Sequence, residues 1–597
     1  MFCLARNLDK NTLNIASIIK KPNMIPRIKL KMLKKVIIIG GGLSGLSAAH
    51  TVIENGGSVI LLEKNSFCGG NSTKATSGIS GALSVPQAQN GIKDSLETFK
   101  KDVALSASGG KSTEIYPLGN VLCSESISCL NWLSNKFNID LSLVGHLGGH
   151  SFPRVHRGKE RFPGMTITYG LLEALEKIEK DTKGETAKII TKAKATKLIT
   201  ENGNVIGVEY TRNNKSYTEY GAVIIATGGY SADGGSNSLL AKYRPDLMDL
   251  PTTNAPQTTG DGIKMVLDIG GDVVDMECVQ VHPTSLVQKS NPNAKTKFLA
   301  AEALRGAGGI MLDANGNRFC DELGRRDYVS GEMQKNKQPF HLILNSKSSN
   351  EIIWHCKHYE QRKLMTYCRN GNEVAKEIGI SPSKLKETFD KYNQQAIANK
   401  DEFNKRFFKN TPYEMNDTFY VAQVCPAVHY TMGGLKVSVN AEVMKDDKPI
   451  PGLFATGEVL GGVHGLNRLG GNSLLDCVVF GRVSGRTAVK YILHSALNEK
   501  KYVALNRIKL VSNQLSAKTL RKIPMSEVAK HNKENDCWVV LYDKVYDLTS
   551  FLEEHPGGKD SVMLYAGKHA TEAFDMIHEE SVLDKYTPNA KIGELEK

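Results

Sequence analysis

KKVIIIGGGLSGLSAAH, residues 34–50, begins the folded part of this 597-residue chain. Val36–Ile39 form a short apolar run that is typical of a buried parallel strand, and Gly40, Gly42 and Gly45 follow it in the spacing GxGxxG. The first glycine permits a tight turn, the second lets a pyrophosphate approach the backbone, and the third lets a helix pack against the strand. The pattern predicts a strand–turn–helix cradle for the phosphates of a dinucleotide.

The segments that follow extend the same α/β pattern. Leu46–His50 predict the start of the helix, and SVILLEK, residues 58–64, predicts a second strand that ends at Glu63. An acid about 20 residues beyond the glycines commonly binds a ribose hydroxyl. VIIATGGY, residues 223–230, predicts a later strand, so the whole pattern indicates an open parallel α/β sheet.

Two further segments favour FAD over NAD as the dinucleotide. GGNSTKATSG, residues 69–78, is a second loop rich in glycine and hydroxyl groups, suited to lie along the pyrophosphate and the flavin ring. PGLFATGEVLGG, residues 451–462, adds a strand and offers Glu458 to a ribityl hydroxyl. Because the cofactor is then contacted from both ends of the chain, we expect residues 261–425 to form an inserted capping domain.

The net charge of +13 is confined to two tracts. Residues 1–35 contain nine Lys or Arg and one acid, and residues 500–526 contain seven Lys or Arg and no acid, so the remainder is close to neutral. A nucleic-acid groove needs its positive charge on the folded surface, so this distribution argues against a nucleic-acid partner.

The leader, residues 1–34, is basic and almost free of acids, which is typical of a mitochondrial presequence. A basic leader without a targeting role, with translation starting at Met24 or Met32, is the alternative. The eleven cysteines are scattered without a CxxC pair, which favours a reducing compartment or the mitochondrial matrix. No apolar run is long enough to span a bilayer, and we expect a mitochondrial or cytoplasmic protein.

Polar residues suited to a small dianion recur in five segments. Each has an ordinary structural explanation when taken alone, such as a turn for a His before Pro. Together, in a flavin-binding chain, they favour a dicarboxylate site. The segments QVHPT, AEALRGAGG, DELGRRD, HYTMGG and GLNRLGGNS supply His282, Glu302, Arg305, Arg326, His429, Arg468 and Gly471.

From about residue 35 to residue 495 the chain resembles the soluble, flavin-dependent fumarate reductases. These are related to the flavoprotein subunits of succinate dehydrogenase and of membrane fumarate reductase. The segments GGNSTKATSG, HPT, AEALRG, ELGRRD, HYTMGG and HGLNRLGGNS carry the resemblance in this order. It implies an FAD-dependent oxidoreductase acting on CH–CH groups, in which reduced FAD passes hydride from N5 to one alkene carbon of fumarate under a capping domain, giving succinate.

The resemblance also assigns roles to single residues. Arg326 is expected to donate a proton to the other alkene carbon, and Glu302 and Arg305 to return protons to Arg326. Cationic donors around both carboxylates stabilise the charge that develops on hydride addition, and arginine suits bidentate carboxylate binding. The implied substrate-binding residues are His282, His429, Arg468, Gly471 and Gly78. The implied FAD-binding residues are Gly40, Gly42, Gly45, Glu63, Gly70, Asn71, Ser72, Ser77, Asp261, Glu458, Ser473 and Leu474.

The sequence departs from the family pattern at two positions. Ala301 precedes Glu302 where some relatives have Thr, which removes one hydroxyl contact to a carboxylate. KATSG, residues 74–78, has no His where the membrane enzymes attach FAD covalently, so we expect non-covalent FAD. Two alternatives to fumarate reduction stay open: an oxidoreductase acting on succinate or another dicarboxylate or enoate, and a haem electron carrier with an inactive flavin module.

A separate segment begins at Pro524, after a basic linker. CWVVL and KVYDLT predict two strands joined by a turn at Tyr542–Asp543. Ser550 and Glu553 fit a capping box, which predicts a helix that ends at His555 in the turn EEHPGGKD.

A second imidazole, His578, follows at the end of another amphipathic stretch, and the two could hold a planar iron from opposite faces. Residues 524–597 resemble cytochrome b5 in the order WVV, VYDLTSFL and HPGG, which implies haem b with His555 and His578 as axial ligands. A bis-His haem has no open coordination position, so it transfers electrons. The chain has one GxGxxG cradle and no evident NAD domain, so we expect an external donor, such as an NADH-dependent flavin reductase, to reduce the haem.

The resulting fold class is α/β: a Rossmann-like FAD-binding domain with an inserted α+β capping domain, followed by a small α+β cytochrome b5-like domain. The expected division is a leader at 1–34, a discontinuous FAD-binding domain at 35–260 and 426–497, a capping domain at 261–425, a linker at 498–523 and a haem domain at 524–597.

Overall fold

The computed structural model describes residues 35–516, 521–576, 578, 582–583, 587 and 590–596. The leader and its targeting role therefore lie outside the described residues. The chain divides into two compact units between Leu497 and Asn498, and each unit is described by itself. Among the described residues, no helix combines the length and the apolar character that a membrane span requires.

The first unit contains strands β1–β20 and most of the helices. The strands are β1 (Lys35–Ile39), β2 (Ser58–Leu62), β3 (Ile79–Ser80), β4 (Leu143–Gly145), β5 (Val155–Arg157), β6 (Ala187–Ile190), β7 (Lys194–Glu201), β8 (Asn204–Arg212), β9 (Lys215–Tyr220), β10 (Ala222–Ile225), β11 (Val273–Val274), β12 (Val279–Leu286), β13 (Phe298–Leu299), β14 (Ile310–Leu312), β15 (Phe340–Asn345), β16 (Thr366–Cys368), β17 (Phe419–Thr431), β18 (Gly434–Leu435), β19 (Glu442–Lys445) and β20 (Lys448–Ala455). The helices are α1 (Leu43–Glu54), α2 (Val85–Gln89), α3 (Leu96–Ala107), α4 (Pro117–Ser124), α5 (Ser126–Phe137), α6 (Pro163–Asp181), α7 (Leu239–Tyr243), α8 (Asp261–Asp268), α9 (Ala303–Gly306), α10 (Arg326–Lys335), α11 (Ser346–Glu351), α12 (Ile353–Gln361), α13 (Gly371–Ile378) and α14 (Pro382–Ala398). A further helix, α15 (Asn472–Ser516), begins in this unit and ends beyond Leu497.

The central sheet of this unit has the strand order β19-β20-β10-β1-β2-β6. β1 pairs in parallel with β2 and β10, and β10 pairs in parallel with β20, which confirms the strands expected around 223–230 and 451–462. The four residues Val36–Ile39 are buried on both faces, as expected for a parallel strand covered by helices. Helix α1 begins at Leu43 and not at Leu46, because Gly42 already occupies the N-cap position.

A second sheet supplies His282 and His429 of the site described below. Its order is β13-β12-β17-β15-β14, with β16 also paired to β17, and its pairs are antiparallel. β17 crosses residue 426, where the capping segment is expected to end, so the bounds of that segment stay a prediction. The parallel central sheet and this antiparallel sheet together confirm the expected α/β class with an α+β insertion.

The second unit contains one sheet in the order β21-β25-β24-β23-β22. Its elements are β21 (Arg521–Ile523), α16 (Met525–Val528), β22 (Asn532–Lys533), β23 (Asp536–Leu541), β24 (Lys544–Asp547), α17 (Lys559–Met563), α18 (Thr571–Asp575) and β25 (Lys591–Leu595). The expected hairpin is confirmed, since β23 and β24 are antiparallel and Tyr542 and Asp543 take φ values of 50° and 56°. Two residues with left-handed backbone form the turn that suits a two-residue hairpin loop.

The capping box expected at Ser550 and Glu553 is wrong. Residues Thr549–Glu554 form a 3₁₀ helix whose N-cap is Leu548, without a side-chain cap. Asp547 is the hydrogen-bond acceptor at the start of this 3₁₀ helix. Its Oδ1 accepts hydrogen bonds from Thr549 N (3.0 Å) and Thr549 Oγ1 (2.6 Å). The side chain that stabilises the start of this turn therefore belongs to the preceding strand and not to Ser550.

Candidate functional site

A cavity of about 550 Å³ opens beside the glycine cradle in the first unit. It brings together residues from both ends of that unit, which no local spacing in the sequence shows. The predicted site residues that line it are Gly40, Gly42, Glu63, Gly70, Asn71, Ser72, Ser77, Gly78, Asp261, His282, Arg326, His429, Glu458, Arg468, Gly471, Ser473 and Leu474. Gly45, Glu302 and Arg305 are not among the lining residues.

The three cradle glycines differ in what surrounds them. Gly40 has φ +115°, and a Cβ there would lie 2.2 Å from Ala226 O, so the turn requires glycine. A Cβ on Gly45 would lie 2.0 Å from Gly40 O, so the third glycine serves helix–strand packing and does not reach the cavity. A Cβ on Gly42 would approach only Ser72 Oγ, at 3.6 Å, so the backbone at Gly42 leaves room for a pyrophosphate.

Acidic and hydroxyl groups complete the cradle. Glu63 accepts hydrogen bonds from Gly41 N at 2.9 Å and Asn65 N at 2.8 Å, so this acid also holds the turn in place. Asp261 forms a salt bridge with Lys64 at 2.9 Å. Burial raises the pKa of Glu458 to about 7, although Thr431 N donates to its Oε1.

The lining fits FAD. Open backbone at Gly42, the helix N-terminus of α1 and the hydroxyl-rich loop at residues 70–78 suit a pyrophosphate, and a carboxyl that is easily protonated suits a ribityl hydroxyl. His355, the imidazole that approaches this loop, is hydrogen-bonded through Nε2 to Thr76 O at 3.0 Å and does not line the cavity.

Two histidines meet at the far end of the cavity, with ring centroids 5.0 Å apart. Thr284 N donates to His282 Nδ1 at 3.2 Å, so Nε2 carries the proton, and this buried Nε2 has no partner within the described residues. His429 reaches the cavity through a bulge, because Gln280 pairs with Tyr430 and Val281 with Val428, which leaves His429 unpaired. Burial, followed by the charge of Arg326, lowers the pKa of both imidazoles well below its usual value, so both are neutral at pH 7.

Arg468 lies on the same wall, 2% exposed. Its Nη1 donates to Leu469 O at 3.0 Å and its Nη2 to Gln280 Oε1 at 3.2 Å. Its Nε has no partner among the described residues. Burial lowers the pKa of Arg468 to about 10, which leaves it charged at neutral pH.

Arg326, Glu302 and Arg305 form a continuous polar chain behind the cavity. Arg326 Nε and Nη2 donate to Glu302 Oε2 at 2.8 and 2.5 Å, and Arg305 Nη2 lies 3.7 Å from Glu302 Oε1. Burial raises the pKa of Glu302, but the charges of Arg326 and Arg305 outweigh it and lower that pKa to about 2. Glu302 is therefore a carboxylate held between two guanidinium groups.

Gln280 is a residue that the motif analysis missed. Its Oε1 accepts from Arg326 Nη1 at 2.7 Å and from Arg468 Nη2, so one amide oxygen joins the two arginines. Its Nε2 donates to Arg468 O at 2.8 Å and fixes the orientation of the amide. The available signal was its position two residues before His282 on the same strand, which places both side chains on one face.

Ala301 also has a structural role that the sequence did not show. Ala301 N donates to Tyr359 Oη at 3.1 Å, and Tyr359 Oη donates to Leu299 O at 3.0 Å. The position is fully buried. Tyr359 lines the cavity, so its aromatic ring forms part of the cavity wall beside Ala301.

In the second unit, His555 and His578 face each other with ring centroids 5.9 Å apart. A metal–imidazole nitrogen bond is about 2 Å long, so this separation is close to that of two rings sharing one iron. His555 Nδ1 lies 3.2 Å from Gly558 O, which leaves Nε2 for a metal, as is usual for a ligating histidine. The ring of Phe574 stacks on that of His578 with centroids 4.8 Å apart, and Leu552 is buried in the adjacent core. The two histidines fit haem b.

Comparisons with known proteins match the two parts of the chain to two families. Residues 35–474 match the FAD binding domain family, and residues 524–596 match the family of the cytochrome b5-like haem/steroid binding domain. A fumarate reductase of Schizosaccharomyces pombe is 44% identical over 466 residues, which cover 77% of this chain and 90% of that protein. Fumarate reductase 1 of Saccharomyces cerevisiae is 36% identical over 76% of this chain and 98% of that protein. The open conformation of a flavocytochrome c3 fumarate reductase aligns with a TM-score of 0.60 and 29% identity over 82% of each chain.

The cradle, the cavity and these matches lead to one conclusion. The chain belongs to the FAD-binding domain family of FAD-dependent oxidoreductases that act on CH–CH groups, and it carries a cytochrome b5-like domain that binds haem b.

Proposed function

We propose that this chain reduces fumarate to succinate. The observation that carries the proposal is the convergence of Arg326, with its Glu302–Arg305 chain, on a cavity that His282 and Arg468 also line, and whose buried His282 Nε2 and Arg468 Nε have no partner among the described residues. Buried polar groups normally have partners, so two that lack them at one cavity mark the binding position of a polar ligand.

The donors favour a dicarboxylate over a neutral alkene. Two neutral imidazoles and two guanidinium groups at one cavity provide N–H donors for two carboxylates. A monocarboxylate or a steroid would leave some of these groups buried and unpaired, which costs about 1–3 kcal/mol for each group. We propose His282, His429 and Arg468, with Gly78 and Gly471 beside them, as the substrate-binding residues.

The protein residues would supply the proton and stabilise developing charge. When bound, FAD supplies the hydride that adds to one alkene carbon. Arg326 donates its proton to the other carbon and recovers one from Arg305 through Glu302. Free arginine hardly deprotonates. Glu302 makes the transfer feasible because it stays ionised between the two guanidinium groups and can accept a proton transiently from either side.

We propose that electrons enter through the C-terminal unit, at a haem held by His555 and His578. A haem with two histidine ligands has no open position and transfers electrons. The donor is expected to be an external reductase, such as an NADH-dependent flavoprotein.

A spectrum of the purified protein tests the proposal directly. The oxidised protein should show flavin and b-type haem bands, dithionite should reduce both under anaerobic conditions, and added fumarate should restore the oxidised spectrum. Initial rates of fumarate reduction and succinate oxidation with matched dyes decide the direction. A reduced protein that fumarate does not reoxidise would contradict the proposal.

FAD is expected to be bound without a covalent link. The loop at residues 74–78 has no His, and His355 is engaged with Thr76 O. Precipitation with acid should release all the flavin into the supernatant, where its absorbance is measured. A yellow pellet that keeps its flavin after washing would show a covalent link.

Gln280→Leu is expected to lower kcat for fumarate reduction by roughly 100-fold, because misplacing a reacting group by about 1 Å has an effect of this size. The substitution removes the oxygen shared by Arg326 and Arg468, so each guanidinium loses one of the hydrogen bonds that fix its position. Steady-state kinetics with a reduced dye measure the effect. Gln288→Leu, which lies outside the cavity, is the control, and equal kinetics for the two variants would exclude the positioning role.

A further inference from the structure

The guanidinium of Arg468 lies over the ring of Tyr430, with Cζ 4.3 Å from the ring centroid. Both residues are nearly inaccessible, with exposed fractions of 2% for Arg468 and 5% for Tyr430. No carboxylate forms a salt bridge with Arg468 in the part of the chain that the structure describes. The face of Tyr430 therefore contacts the buried charge alongside the oxygens of Leu469 and Gln280, and such cation–π contacts are strongest where water is excluded.

Tyr430 is itself held by a charged group. Its Oη donates to Asp476 Oδ2 at 2.8 Å, and Asp476 is 1% exposed in the first turns of α15. His464 Nε2 lies 3.4 Å from the same carboxylate oxygen. A hydrogen bond to an ionised acceptor is stronger than a neutral one, so it fixes the ring plane more firmly than apolar packing alone.

The strand register brings two contacts of Arg468 to one place. Tyr430 of β17 is the cross-strand partner of Gln280 of β12. Gln280 Oε1 accepts from Arg468 Nη2, while the ring of Tyr430 lies against the guanidinium. With Nη1 bound to Leu469 O, Nε is the one guanidinium nitrogen of Arg468 that makes no hydrogen bond to the described residues.

We propose that Tyr430 and Asp476 are positioning residues that hold Arg468 in its substrate-binding orientation and so set the affinity for the dicarboxylate. The inference rests on the proposed role of Arg468 as a carboxylate ligand. Asp476 orients Tyr430, Tyr430 supports the guanidinium through its ring, and the N–H groups of Arg468 that lack a partner, Nε among them, remain for the ligand. The prediction is a loss of dicarboxylate affinity when the ring is removed and a smaller loss when only the hydroxyl is removed.

The test compares three tyrosine variants of the holoenzyme. Tyr430→Leu removes the ring, and Tyr430→Phe keeps the ring but loses the bond to Asp476. Tyr420→Phe is the matched control, because Tyr420 lies on the same strand and its Oη donates to Glu360 at 3.3 Å, outside the cavity. Flavin absorbance and thermal unfolding verify that each variant is folded and loaded.

Two readouts separate positioning from folding. The first is the KM for fumarate, which should rise roughly 5- to 30-fold in Tyr430→Leu, as expected for loss of a buried cation–π contact, and only a few-fold in Tyr430→Phe. The second is the Kd for malonate, a saturated dicarboxylate that cannot be reduced, measured by calorimetry on the oxidised protein. It should weaken in the same order, with Tyr420→Phe unchanged.

A double-variant cycle with Arg468→Lys completes the test. Lysine cannot present the planar guanidinium, so adding Tyr430→Leu to Arg468→Lys should weaken malonate binding much less than it does in the wild type. Equal effects in both backgrounds, or an unchanged Kd in Tyr430→Leu, would overturn the inference. If the variants change the Kd for malonate in the predicted order but the wild-type protein does not reduce fumarate, the positioning role stands and the proposed function is wrong.

Discussion

Arg326→Gln should lower kcat for fumarate reduction roughly 1000-fold, within the range that a positioned general acid contributes. Glutamine keeps a polar side chain near Glu302 and Gln280 but carries no proton that it can transfer. The substrate-binding groups His282 and Arg468 remain, so the KM for fumarate should change much less than kcat. Steady-state assays with a reduced dye measure both quantities, and the flavin spectrum verifies that the cofactor is retained.

Arg325→Gln is the matched control for this prediction. Arg325 is the adjacent arginine, and it donates to Gly109 O at 3.1 Å and pairs with Asp327 at the surface. Exposed ion pairs contribute at most about 1 kcal/mol, so its kcat should stay close to that of the wild type. Near-normal turnover in Arg326→Gln would show that another group donates the proton, and the Glu302–Arg305 chain would then lose its proposed role.

His555→Ala should abolish the b-type haem band and, with it, reduction of fumarate by the physiological donor. Dye-driven reduction should persist at close to the wild-type rate, because the flavin cavity lies in the other unit. Absorbance spectra and paired assays with an artificial dye and with NADH plus a reductase-containing extract measure the two effects.

His569→Ala is the control, since its side chain is 46% exposed in the same unit and it is not a proposed ligand. His578→Ala should reproduce the result of His555→Ala, because each histidine supplies one axial bond. Equal loss of dye-driven and donor-driven activity in His555→Ala would remove the haem from the electron path and indicate a structural role for the C-terminal unit.

Local patterns predicted the parts of the protein whose geometry is local. The strand, the glycines and the acid at Glu63 lie within one strand–helix–strand segment, and their spacing already implies a turn that only glycine can form. The hairpin at Tyr542–Asp543 was likewise predictable from two apolar runs and a two-residue gap. The capping box at Ser550 failed because the turn begins one residue earlier, where Asp547 at the end of the preceding strand accepts the hydrogen bond from Thr549 N.

The candidate site was only partly predictable. Motifs indicated His282, His429 and Arg468, but no motif indicated which side chains these residues contact in the folded protein. Gln280 and Tyr430 stand inside the segments QVHPT and HYTMGG, but their relevance comes from contacts with residues far away in the chain. His429 reaches the cavity because of a bulge in β17, and a bulge is a property of the strand pairing.

By itself, the sequence determined the two cofactor classes and the order of the domains that hold them, because glycine spacing and paired histidines restrict the backbone and the metal locally. Only the tertiary structure decided that one amide oxygen joins Arg326 to Arg468, that Tyr430 supports Arg468, and that Glu302 stays ionised between two arginines. These features depend on distances between segments that are remote in the chain, and on the exclusion of water, which strengthens every charge interaction among them.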